Sequence, residues 1–284
     1  MNGNEFAAAW EVPLRLWAFF GVLAVLVLWE LKAPRRIPVL PRRKRWPGNL
    51  GIVALDTLLV RLLIPMTGAG MAVLAAAQGW GLLNVVPIPF WLAVLLSVVL
   101  LDLAIYGQHV LFHTLPPLWR VHRMHHADLE VDVTTGARFH PIEIVLSLLI
   151  KLSVIVALGA PATAVVLFEI LLNATSMFNH SNVRLPPTVE ALLRRVIVTP
   201  DMHRVHHSIK RQETDSNFGF NLSLWDRLFG TYRARPEDGH EAMALGIPDF
   251  RDPRDCTTLS GMLTIPFRGR AGHASRLEPG HEGH

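Results

Sequence analysis

Histidines dominate any reading of this chain for chemistry. Of the 14 in the sequence, ten lie between His109 and His207, where even spreading would give about five. Their spacing says more than their number. His109 and His113 form H-x-x-x-H. His122, His125 and His126 form H-x-x-H-H, and His203, His206 and His207 repeat it, with His140 and His180 standing singly between them. On a helix, residues three or four apart share a face, with Cβ atoms about 5–6 Å apart, so His109 and His113 can serve one metal. In H-x-x-H-H the first histidine can pair with either of the other two, and the adjacent one turns about 100° away. Such a motif can offer imidazoles to two neighbouring ions. A lone histidine is usually structural, and H-x-x-x-H alone is a weak signal. Burying eight or more imidazoles without a cation, however, would strand many polar groups. The set amounts to about four or five ligands for each of two metals.

Ligand type alone leaves zinc, copper, iron and nickel open. A hydrolytic zinc site uses about three protein ligands and an open position, and a two-metal hydrolase normally includes bridging carboxylates. The Glu-x-x-His pairs of soluble di-iron carboxylate proteins occur here only at Glu237/His240 and Glu278/His281, both in a polar tail, and H-E-x-x-H is absent. Many imidazoles beside apolar segments point instead to redox chemistry on a substrate dissolved in lipid.

Two polar stripes accompany the histidines. Asp102, Tyr106, His109 and His113 fall on one helix face, as do Glu169, Asn173, Ser176 and His180. Ionisable residues at membrane depth are costly and face a cavity or a partner. These stripes, with Asp128, are expected to orient the ligands from behind; the plainer alternative is a helix–helix hydrogen bond.

The elements that must carry these residues are apolar. Hydrophobic residues make up 51% of the chain and charged ones 18%, and mean hydropathy is +0.33, well outside the habit of a soluble domain. Five stretches are long enough to cross or enter a bilayer: 13–31, 50–77 (interrupted by Pro65 and Gly68), 90–111, 142–158 and 162–178. Gly159-Ala160-Pro161 joins the last two as a tight hairpin, which is short enough to be re-entrant. The sequence therefore predicts an all-α membrane protein of four or five transmembrane or re-entrant helices, capped by a histidine-rich helical region. Thr67-Gly-Ala-Gly-Met71 lies inside a span and reads as helix packing.

Orientation follows from the charges after the first span: Arg35, Arg36, Arg42, Arg43, Lys44 and Arg45 place that loop, and with it everything from His109 onward, on the cytoplasmic face. The first run lacks a preceding basic region and is expected to remain as an anchor. A short surface helix is expected over 188–198, after Pro186-Pro187. Three regions result: 1–89 as a two-span anchor with its basic loop, 90–235 as the catalytic region, and 236–284 as a polar, loosely ordered tail. The single cysteine, Cys256, excludes an internal disulfide and a thiolate-held iron–sulfur cluster. The net charge of +4 is concentrated beside apolar segments, a topology signal and not a nucleic-acid surface.

Together the three motifs resemble the fatty acid hydroxylase superfamily, which includes sterol desaturases, sterol methyl oxidases and carotenoid hydroxylases. The supporting strings are His122-Arg-Met-His-His126 with Asp128, the run Asp132 to His140-Pro141, Thr199-Pro-Asp-Met-His-Arg-Val-His-His207, and Asn217 to Thr231. The resemblance covers about residues 90–235. It implies a non-haem centre of two iron ions that activates O2 with external electrons and hydroxylates or desaturates an unactivated C–H bond of a lipid-like substrate: a sterol, fatty acyl chain, carotenoid or ether lipid. It also implies His109, His113, His122, His125, His126, His180, His203, His206 and His207 as metal ligands. Several members carry a further histidine where this chain has Ser176; His140 is taken as the compensating tenth ligand, the alternative being that it only contacts a ligand.

No cytochrome module or flavin or nicotinamide fingerprint is evident, so the electron donor is expected to be a separate ferredoxin or cytochrome. Its docking surface is placed around Arg204, Lys210 and Arg211, which lipid headgroups could equally contact. Two rivals remain: a bis-histidine haem protein, ill served by adjacent histidines, and a non-catalytic metal carrier or transporter, whose ligands would sit at the bilayer midplane. Arginine- and alanine-rich usage favours a bacterial inner membrane.

Overall fold

The computed structural model describes residues 3–269. The chain begins with α1 (Gly3–Lys32), followed by α2 (Arg42–Leu63), α3 (Gly68–Ala77), the single turn α4 (Leu82–Val85) and α5 (Phe90–Thr114). After α6 (Pro116–His126) comes an antiparallel pair, α7 (Pro141–Leu158) and α8 (Ala162–His180). Among the described residues only isolated β-bridges occur, with no strand. Five helical segments are long and apolar enough to cross a membrane: α1, the stretch Arg42–Val85, α5, α7 and α8.

Local sequence explains the breaks. Pro65 cannot continue α2, and the Thr67 hydroxyl caps α3 by accepting the Gly70 N–H at 3.0 Å. A Cβ on Gly68 would sit 2.9 Å from both Glu169 Oε1 and Val165 Cγ1; only glycine permits this approach of α3 to α8. Gly159 ends α7 in the left-handed conformation (φ 67°), which turns the chain straight into α8. The apolar core between these helices contains Leu101, Ile105, Leu152, Ile155, Val165 and Phe168.

α1 and α8 run side by side. Both start where the Thr163 hydroxyl meets the Gly3 carbonyl at 3.0 Å, and they finish at the same end of the bundle, where Glu30 of α1 accepts the Asn182 N–H at 2.8 Å. That end carries the cap, formed by α6, α9 (Pro187–Leu193), α10 (Pro200–His206), α11 (Arg211–Thr214) and α12 (Leu224–Leu228).

The basic loop is at this end too. Arg35 Nε lies 3.2 Å from Asp201. Arg45 is fully buried against Asp128 (2.7 Å) and Asp132 (2.6 Å). A residue that reads as a topology signal is therefore also a strut of the cap.

The tail differs from expectation. Over 236–269 it folds back through α13 (Gly239–Ala242), α14 (Pro253–Thr257) and α15 (Leu259–Thr264). Phe250, Cys256, Met262 and Ile265 close over Ile52 of α2 and Met124 of α6. Its apolar residues lack helical periodicity because they fill an existing surface and do not form a stripe of their own, so composition alone reads as loose. Residues 270–284, including Glu278/His281, lie outside the described residues.

Candidate metal centre

Nine histidines converge at the cap end of the bundle, all buried. His109, His113, His122, His126 and His206 form one group; His125, His180, His203 and His207 form the other. Within each group the ligand nitrogens all lie within 4.8 Å of one another. The two H-x-x-H-H motifs are each divided in the same sense. In α6, His122 and His126 face the first group and His125 the second; around α10, His203 and His207 face the second and His206 the first. The four-residue pairs share a group, and the residue between them, rotated by helical geometry, serves the other. The groups touch where His126 and His207 stack with ring centroids 4.6 Å apart.

Protonation follows from what stands behind each ring. Nδ1 of His109 donates to the Phe218 carbonyl (2.7 Å), of His125 to the Arg138 carbonyl (2.9 Å), of His180 to the Ser176 carbonyl (2.6 Å) and of His206 to the Ser216 carbonyl (2.7 Å). A carbonyl only accepts, so these rings hold their proton on Nδ1 and present a bare Nε2 lone pair inward. His122 Nδ1 is 2.7 Å from Glu143 Oε1, and His113 Nδ1 is 3.4 Å from Asp215.

The inward nitrogens crowd each other. His109 Nε2 lies 3.0 Å from His206 Nε2 and 3.2 Å from His122 Nε2; His180 Nε2 lies 3.1 Å from His125 Nε2 and 3.0 Å from His203 Nε2. Facing lone pairs at such distances repel. They match neighbouring ligands on one ion, because metal–imidazole bonds of about 2.0–2.1 Å put adjacent nitrogens about 3.0–3.4 Å apart. Both ring nitrogens of His207 and Nδ1 of His203 are buried without a hydrogen-bond partner. The residues present fit a metal in each group.

Burial also keeps the rings neutral. It pushes His122 down to about 3. Burial first, and then the neighbouring imidazoles, hold His125, His126, His203, His206 and His207 well below the ordinary histidine value. A neutral imidazole has the lone pair that a metal needs.

Residues 94–231 match the family model described as fatty acid hydroxylase. This match, over just under half of the chain, supports the fatty acid hydroxylase superfamily. Among curated proteins it is 31% identical over 150 residues to an ornithine lipid hydroxylase of Rhizobium tropici, covering 52% of this chain and 44% of that one. It is 29% identical over 150 residues to the human alkylglycerol monooxygenase, covering 52% and 31%. It is 30% identical over 161 residues to a fatty acid hydroxylase of Lecanicillium sp, covering 52% and 44%. The chain thus spans less than half the length of these relatives. No solved structure matches it significantly.

One expected ligand stands outside both groups. His140 caps α7: its Nδ1 accepts the Ile142 N–H at 3.2 Å, and its Nε2 lies 3.4 Å from the Leu263 carbonyl. A ring used as a cap at the start of a helix points along the backbone and away from the histidines of α6, so it does not compensate for Ser176.

The polar stripes divide. Ser176 stands directly behind His180 through its carbonyl, while its hydroxyl donates to Gly136 O at 2.7 Å. Asp102 touches no histidine; it accepts Asn221 N–H (3.3 Å), Leu222 N–H (3.2 Å) and the Trp225 indole (2.8 Å), holding the loop whose Phe218 carbonyl grips His109. The Tyr106 hydroxyl meets Thr231 at 2.9 Å.

Asp128 acts two steps back. It pairs with Arg45 and lies 3.4 Å from Arg138 Nη1, the residue whose carbonyl holds His125. Burial alone would raise its carboxyl, but the two guanidinium groups outweigh burial and lower it to about 2. Glu169 belongs to a separate charge cluster with Lys151 and Arg15 (2.6 Å to the latter), and Asn173 donates to the Glu169 carbonyl at 2.9 Å. Glu169 serves helix association, the plainer alternative, while the Asn173 bond stays within α8.

Spacing did not reveal Glu143 and Asp215. The available signal for Glu143 was an acid in the first turn of an otherwise apolar helix, which reads equally as an N-terminal helix preference. The cations of the expected donor surface have acidic partners of their own. Arg204 is buried and paired with Asp201, Lys210 meets Glu237 (3.0 Å) and Asp238 (2.8 Å), and Arg211 meets Asp215 (3.2 Å). All three cations are neutralised within the chain.

Proposed function

We propose that this protein is a membrane-bound non-haem di-iron oxygenase that hydroxylates or desaturates an unactivated C–H bond of a lipid-like substrate, with its active site on the cytoplasmic side of a bacterial inner membrane. The observation that carries this reading is the convergence of unprotonated Nε2 atoms in two adjoining groups at one end of an apolar helix bundle. The relatives' activities on ornithine lipid, alkylglycerol and fatty acid support a lipid substrate.

When bound, two irons would supply O2 activation and removal of a substrate hydrogen, with two electrons from a separate ferredoxin or cytochrome. His109, His113, His122, His126 and His206 would hold one iron, and His125, His180, His203 and His207 the other. Glu143 and the carbonyls of Phe218, Arg138, Ser176 and Ser216 keep the protons of His122, His109, His125, His180 and His206 on Nδ1 and their lone pairs inward. The rings of Phe218 and Phe220, against His109 at 5.6 and 5.0 Å, exclude water from that side of the centre.

The test is metal content by mass spectrometry on detergent-purified protein from iron-replete cells, beside a His125→Ala/His206→Ala double variant, followed by screening for oxygen-dependent lipid products. About two irons per chain, lost in the double variant, is the expected result. A folded wild-type protein that holds no metal would overturn it.

A further inference from the structure

Residues 217–232 are irregular apart from α12, yet they pack on the middle of a membrane-crossing helix. Asp102, which anchors Asn221, Leu222 and Trp225, is midway along α5, about 18 Å from either end at 1.5 Å per residue. One turn on, Tyr106 bonds Thr231 and stacks on Phe229 with centroids 5.4 Å apart. A hydrocarbon layer about 30 Å thick covers about 20 residues of a helix. Measured from Phe90, that reaches past Tyr106. The segment that packs on these residues therefore lies at hydrocarbon depth.

Its outer surface is suited to that depth. Leu224, Leu228 and Phe229 are 50%, 64% and 55% exposed. Val196, whose carbonyl accepts the Ser223 N–H at 3.0 Å, and Leu192 are exposed as well. On α5 itself, Leu95, Leu96, Leu100 and Leu111 are likewise exposed.

The backbone gives an independent sign. Irregular chain is tolerated at membrane depth only where protein satisfies its polar groups. Asp226 takes the N–H groups of Phe218 (2.7 Å) and Gly219 (3.0 Å) on its carboxylate, and those of Thr231 (2.8 Å) and Tyr232 (3.0 Å) on its carbonyl. Asn217 N–H meets the Thr231 carbonyl at 2.9 Å, and Val198 N–H the Asn221 carbonyl at 3.0 Å. Exposed Arg195 and Arg227 flank the apolar residues, and Arg227 folds over the Tyr232 ring at 3.9 Å, as basic side chains do when they reach from apolar surroundings toward headgroups.

We infer that residues 192–196 and 217–229 form a surface inserted into the leaflet nearest the histidines, with Leu192, Val196, Leu224, Leu228 and Phe229 against acyl chains and Arg195 and Arg227 at lipid phosphates. The partner is the bilayer itself. Phe218 also packs on the rings of His109 (5.6 Å) and His206 (5.5 Å), so this segment is the wall between the histidine centre and lipid.

The test uses the full chain reconstituted at low protein density into phosphatidylcholine vesicles containing phosphatidylglycerol. Nitroxide labels at Leu224→Cys and Leu228→Cys, in a Cys256→Ala background, are compared with Leu95→Cys on the lipid-facing side of α5 and Asp238→Cys on the polar cap. Relaxation enhancement by oxygen is expected to exceed that by a water-soluble nickel chelate several-fold at both positions, as at Leu95. Nickel accessibility like that of Asp238 would overturn the inference, as would exclusion of both reagents, which would mean that a protein covers the patch. Water accessibility at Leu95 as well would instead overturn the membrane placement of α5. If the variants fail to fold, a photoactivated carbene lipid in the same vesicles labels the unaltered chain. The tryptic peptide 228–233 is expected to carry the label, and its absence there beside a labelled α5 would overturn the inference.

Discussion

His109 Nε2 and His206 Nε2 lie 3.0 Å apart although their residues are 97 positions apart in sequence, and each ring has its proton on the far nitrogen, held by a carbonyl. With no proton between them, a cation is what turns this contact from repulsive to attractive. His206→Ala and His207→Ala each remove one ligand from a different group. Each is expected to lower metal content by about one ion per chain, read by mass spectrometry. Equal loss of all metal from both would show that the two groups bind as one unit.

Glu143 holds the ring of His122 from behind at 2.7 Å. Outer partners of ligating histidines typically contribute about 10–100-fold to metal affinity or activity. Glu143→Ala should fall in that range in a chelator competition, with Glu143→Gln, which keeps an acceptor oxygen, losing less. An unchanged affinity for Glu143→Ala would remove it from the centre.

His140 sits 22 residues nearer the N-terminus than Ala162 but has a different task from the histidines that precede and follow it. As the cap of α7, its replacement by Ala should cost about 0.5–2 kcal/mol of stability and leave metal content intact. A thermal melt beside a metal assay separates the two. Metal loss without destabilisation would restore it to the ligand set.

Acid should weaken the protein before it reaches carboxylate chemistry. The buried histidines have pKa values below 6.5 when folded, so the unfolded chain binds more protons as pH falls. Their contribution is fully present above about pH 6.5 and is lost progressively below it, down to about 3 for His122. Each ring kept neutral costs about 1.4 kcal/mol per pH unit in that window. The apo protein should therefore melt at lower temperature at pH 5.5 than at pH 7.5, and bound metal should be released over the same range. A melting temperature that does not change between these pH values would contradict the burial of the rings.

Much of this molecule is set by pattern alone. The five apolar stretches, the Gly159 turn and the placing of the histidines on four helices and their ends follow from hydropathy and from spacings of three and four, because these are properties of a single helix. That each H-x-x-H-H motif can serve two neighbouring groups is legible for the same reason, since 100° per residue separates neighbours whatever surrounds them; which histidines pair is decided by the fold.

What only tertiary structure decided is where each side chain finds its partner. His122 and Glu143, His109 and the Phe218 carbonyl, and Arg45 and Asp128 meet across helices, and no local periodicity records such meetings. Glu169 and Ser176 share one stripe of α8 in sequence, yet one faces Lys151 and Arg15 and the other stands behind His180. The same holds for the tail, where Phe250 and Met262 are buried only because α2 and α6 already offer a surface. Helix geometry fixes which face a residue occupies, and the packing of other helices against that face determines its chemical role.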